Sequence, residues 1–70
     1  MDQNKIGNYI KELRLKNNLS QSDLAKKLSV TNQAISKWEN GRGIPDVEML
    51  KQLSVIFNVN VDDILNGEEQ

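Results

Sequence analysis

One short pattern recurs at four places in this chain and leaves little choice of fold: an apolar residue, a side chain able to cap a helix, and a second apolar residue about one turn further on. Its fullest form is Leu19-Ser20-Gln21-Ser22-Asp23-Leu24, where Ser20 and Asp23 have the spacing of a capping box and Leu19 and Leu24 that of a hydrophobic staple. Val30-Thr31 with Ile35 repeats the staple with Thr31 as cap, and Pro45-Asp46 with Leu50 repeats it with Asp46 as cap. Val59-Asn60 with Asp63 and Ile64 repeats the whole pattern. Each cap contributes about 1 kcal/mol, and each fixes where a helix begins.

An earlier helix precedes these, over roughly Lys5 to Lys16, with Ile6, Ile10 and Leu13 at inward-facing spacing. Residues that tolerate the left-handed conformation supply the stops: Asn17-Asn18, Asn40-Gly41, Asn58 and Asn66-Gly67. The pattern predicts five short helices, at about 5–16, 21–28, 32–40, 47–57 and 61–66. Arg42-Gly43-Ile44-Pro45 is the one true loop. Apolar and polar residues never alternate for long, so no strand is expected and the fold class is all-α. Residues 1–67 form one domain, and the acidic end, 68–70, is expected to fray.

A 70-residue chain buries only about 60% of its unfolded surface, so partnering would help it. It has neither Cys nor His, which excludes disulfides, leaves no ordinary zinc ligand set and removes nucleophile–His catalysis. The acid pairs Asp62-Asp63 and Glu68-Glu69 lack metal-site spacing. Accordingly no cofactor, no metal and no enzymatic activity are expected. The longest apolar run is Val55-Ile56-Phe57, too short to span a membrane, and the start of the chain lacks the apolar core of a secretion signal. A soluble cytoplasmic protein is the expectation.

The net charge of −1 hides an asymmetry. Residues 1–42 carry +4 and residues 43–70 carry −5. A polyanion would be drawn to the first part and repelled by the second, although ordinary scatter in a short chain would look the same.

The second and third helices are joined by only a few residues around Ser29-Val30-Thr31. So short a turn suits a steep crossing, the helix-turn-helix arrangement, in which the second helix can enter a DNA major groove. On a helical wheel, Thr31, Ala34, Ile35 and Trp38 share an arc of about 100° that reads as core. Asn32, Gln33, Ser36, Lys37 and Asn40 fill the opposite arc. Amides match the edge of adenine and Lys reaches guanine acceptors, so this arc is either a plain solvated face or one that reads bases.

These stretches, "LSQSDLAKKLSVTNQAISKWENG" followed by "PDVEMLKQLSVIFNVNVDDILNG", resemble the Cro/C1-type (XRE) helix-turn-helix domain of phage repressors and many bacterial regulators. The resemblance covers about residues 6–67. It implies a lambda-repressor-like bundle of five helices, with Asn32, Gln33 and Lys37 at base-reading positions. It places Gln21, Thr31, Ser36, Asn40 and Arg42 at phosphate-contacting positions, and Arg14 with Glu39 as a structural ion pair. The turn position that is usually Gly is Ser29 here, which costs about 1 kcal/mol if that residue must be left-handed. The implied function is a sequence-specific DNA-binding transcriptional regulator, a repressor acting as a homodimer on two half-sites of double-stranded DNA. The alternative is a protein-interaction module of the same fold, such as an antitoxin or adaptor domain, motivated by the apolar surplus of the fourth helix. A further protein partner or a C-terminal regulatory domain is compatible with either.

Overall fold

Capping and stapling produce five helices in the computed structural model, which describes residues 2–68. They are α1 (Gln3–Lys16), α2 (Gln21–Leu28), α3 (Asn32–Glu39), α4 (Val47–Phe57) and α5 (Val61–Asn66), with no strand among the described residues. Ser20 and Asp23 close the capping box of α2 in both directions: Asp23 N donates to Ser20 Oγ, and Ser20 N donates to Asp23 Oδ2, each at 2.9 Å. Thr31 Oγ1 accepts from Ala34 N at 3.2 Å, and Asp46 Oδ1 accepts from Met49 N at 2.9 Å.

Two helix starts differ from the sequence-based expectation. α1 begins at Gln3 rather than near Lys5, because Asp2 accepts hydrogen bonds from the backbone N–H groups of Asn4 and Lys5. At α5, Asn60 occupies the cap position but makes no side-chain cap hydrogen bond. Asp63, which completes the pattern on paper, is instead buried, with Oδ1 lacking a hydrogen-bond partner among the described residues.

The helices also share a way of ending. Asn18, Ser29, Gly41, Asn58 and Gly67 all have φ between +54° and +71°. In each case the next residue's N–H reaches back to the helix's last turn: Leu19 to Arg14 O, Val30 to Ala25 O, Arg42 to Lys37 O, Val59 to Ser54 O and Glu68 to Asp63 O. This is the Schellman bond, which satisfies carbonyls the helix leaves open. Leu19, Val30 and Val59 then do double duty, closing one helix and stapling the next while packing on the core. Glu68, expected in the frayed tail, is still tied by its N–H; the rest of that tail, residues 69–70, lies outside the described residues.

The core is a single cluster drawn from every helix, with Ile10, Leu24, Ile35, Leu53 and Ile64 wholly buried. Leu50, Leu53 and Phe57 of α4 join it, while Met49 and Ile56 pack at its edge. That absorbs most of the apolar surplus of α4 and leaves Val47 and Val55 exposed. α1 and α3 approach closely at Gly7, where an added Cβ would lie 2.0 Å from Trp38 O. No described helix is long and apolar enough to cross a membrane.

Candidate nucleic-acid interface

α2 and α3 are joined by Ser29-Val30-Thr31 alone. Ser29 takes φ 58° and ψ 42°, so the left-handed turn that glycine would make most easily is made by a serine. In α3, which follows the turn, Ile35 and Trp38 are buried and Ala34 is half-buried. Asn32, Gln33 and Lys37 are exposed, at the spacing that puts them on the face opposite Ile35 and Trp38.

The side chains assigned to phosphate positions fall into two kinds. Arg42 is exposed just beyond the left-handed Gly41; its backbone N–H donates to Lys37 O, and its side chain has no partner among the described residues. The others already have partners. Thr31 is exposed rather than in the core arc, since a cap residue lies outside the helix it caps, and its hydroxyl is used on Ala34 N. Asn40 Nδ2 donates to Ser36 O at 2.8 Å and to Ser36 Oγ at 3.2 Å, so these two side chains brace each other along the last turn. Gln21 is half-buried and donates through Nε2 to Glu39 Oε1 at 3.1 Å.

Arg14 and Glu39 lie under this surface. Arg14 Nε donates to Glu39 Oε2 at 2.7 Å and Nη2 to Oε1 at 3.0 Å, a two-pronged pair between residues 25 apart in sequence. Nη1 donates to Leu19 O at 2.9 Å, tying in the α1–α2 connection. Both side chains are more than nine-tenths buried. The hydrogen bond to Glu39 raises the Arg14 pKa above its ordinary value, against the lowering that burial causes. Removing one partner of such a pair strands a buried charge and costs about 3–5 kcal/mol.

Sequence reasoning missed two features here. The Gln21–Glu39 bond joins residues 18 apart on different helices, and no local pattern reveals it. Gly7 could have been noticed, because a glycine inside a helix costs stability unless something needs the space.

Residues 10–64 match the model of the helix-turn-helix family. The chain belongs to that family. Among its helix-turn-helix relatives is the transcriptional activator BcrR of Enterococcus faecalis, 48% identical over 60 residues, which make up 86% of this chain and 29% of BcrR. Another is the regulator ImmR of Bacillus subtilis, 34% identical over 64 residues, or 91% of this chain and 50% of ImmR. The chain thus spans half or less of these two relatives. The crystal structure of the restriction-modification controller protein C.AhdI of Aeromonas hydrophila superposes with a TM-score of 0.80 at 22% identity, covering 90% of this chain and 96% of that one. That likeness concerns the fold alone.

Proposed function

We propose that this helix-turn-helix is the DNA-reading domain of a transcriptional regulator, with α3 entering the major groove of double-stranded DNA. The observation that carries this is the exposed face of Asn32, Gln33 and Lys37 on a helix whose opposite face is fixed in the core. Base readout needs rigid presentation of hydrogen-bonding side chains, and amides with one Lys are suited to purine edges. BcrR and ImmR, named as transcriptional regulators, support the same reading. Arg42 supplies a backbone contact beside the reading helix.

The working unit is a homodimer. The described chain extends 27 × 24 × 21 Å. Half-sites one helical turn apart are separated by about 34–36 Å, so reading two of them takes two copies. Occupying an operator blocks transcription without further parts, so repression is the proposed direction; a promoter–reporter assay decides between it and the activation named for BcrR. The site of action is the cytoplasm. No catalytic step is assigned.

Selection of bound sequences from random duplex DNA tests the proposal. A short motif repeated with two-fold symmetry supports it, and recovery of no motif above background counts against it. The other reading, a module whose main partner is a protein, is favoured by the exposure of Val47 and Val55 on α4. Absence of a DNA motif together with a stable protein complex lost on Val55→Asp would select that reading.

A further inference from the structure

We infer that Glu39 is a positioning residue for DNA binding: through its hydrogen bond to Gln21 it holds that side chain ready to donate its second amide proton to a phosphate. The inference rests on the DNA-binding reading above. Glu39 Oε1 accepts from both Arg14 Nη2, at 3.0 Å, and Gln21 Nε2, at 3.1 Å, while Oε2 accepts from Arg14 Nε at 2.7 Å. The carboxylate is therefore held by two charge-assisted bonds in a buried place, and Arg14 is itself fixed to Leu19 O. Whatever it holds inherits that rigidity.

Gln21 opens α2 and is half-buried. A glutamine at a solvated helix start samples many rotamers and gives up that freedom when it binds something. Here one proton of the Nε2 amide is already committed to Glu39. An amide nitrogen has two protons, and among the described residues no other atom accepts from this one. The loss of rotamer freedom has already occurred in folding, so a phosphate acceptor would meet a preorganised donor.

Charge decides whether an acid can serve in this place. A bare carboxylate behind a phosphate contact would repel the DNA. Arg14 neutralises it at 2.7 Å, so Glu39 orients Gln21 without presenting net negative charge. The same residue ends α3, so the helix that reads bases and the side chain that grips the backbone are set by one node. A movement of α3 in the groove moves Gln21 with it.

The test uses the full chain and the duplex recovered by random-site selection, with single phosphates replaced in turn by neutral methylphosphonates. One position per half-site should weaken wild-type binding about tenfold, as expected for loss of a hydrogen bond to a charged group. Gln21→Ala should bind the unmodified duplex about tenfold more weakly and then be indifferent to replacement at that position. Glu39→Leu, which leaves the Gln21 amide no acceptor at position 39 and is measured at a temperature where circular dichroism shows it folded, should lose most of the penalty at that phosphate and keep the penalties elsewhere. A purely structural ion pair would leave the pattern of penalties unchanged, and that result overturns the inference.

Side-chain amide resonances of wild type give a readout that does not depend on a folded Glu39 variant. On adding DNA, one Gln21 amide proton should hold its shift while the other moves. Displacement of both means that Gln21 leaves Glu39 to reach DNA, which also overturns the inference. A wild-type chain that enriches no DNA sequence defeats the underlying reading instead. A chain that enriches a motif but binds it equally well as Gln21→Ala defeats only the role given to Glu39.

Discussion

Gln33 and Arg42 are both exposed and both assigned to DNA, yet physical chemistry gives them different signatures. An amide adds no net charge, so its worth lies in the match to one base edge. Gln33→Ala should cost about 1–3 kcal/mol at the selected sequence and clearly less on random DNA, measured by fluorescence anisotropy on both duplexes. Arg42→Ala should weaken both duplexes alike and lower the slope of log affinity against log salt by about 1. Asp23 makes a third prediction. Its carboxylate accepts from the backbone N–H of Ser20, which is the main reason its pKa lies below the ordinary value; the Ser20 hydroxyl adds to this. A carboxyl group with a depressed folded pKa stabilises above its unfolded value, about 3.9, and loses that contribution as pH falls through the lower folded value. Asp23→Asn should therefore lower the urea midpoint at neutral pH, and the gap should close as the solution is acidified through and below that range.

At the scale of elements, most of the order was legible because its signals are local. Ser20, Thr31 and Asp46 cap the helices they were expected to cap, and Asn58 and Gly67 end helices where left-handed residues were expected to end them. Asn60 failed because a cap pattern on paper does not decide whether the side chain turns onto the backbone. Asp2 was missed because the start of α1 was read from the spacing of Ile6, Ile10 and Leu13, which does not mark the first turn of the helix. Contacts between elements were less legible: the close approach of α1 to α3 depends on Gly7, and only the three-dimensional arrangement shows what fills its missing side chain. Gly7→Ala should raise helix propensity yet destabilise the domain, because its Cβ would meet the Trp38 carbonyl and force the helices apart. Thermal unfolding should show a loss of about 1–3 kcal/mol or more, in the range for overpacked interiors. The candidate site divides the same way. Asn32, Gln33 and Lys37 sit on the exposed face that the wheel gave them, and Ser36 and Asn40, one turn apart on that wheel, bond each other, whereas Gln21 is engaged with Glu39 on another helix, which no wheel can show.

The whole molecule is a small core with an uneven coat of charge. Residues 1–42, which hold α1, α2, α3 and Arg42, carry +4, and residues 43–70, which hold α4 and α5, carry −5. DNA should therefore approach from the α2–α3 side, with α4 and α5 turned away. The most direct measurement of this account is a map of the bound surface: amide and side-chain resonances of the isotopically labelled chain, followed as the selected duplex is added. The account predicts the largest changes at Asn32, Gln33, Lys37, Gln21 and Arg42, with the exposed residues of α4, among them Val47 and Val55, little affected until a second copy binds. Largest changes on α4 or α5 from the first addition, with Asn32, Gln33 and Lys37 unmoved, would contradict it.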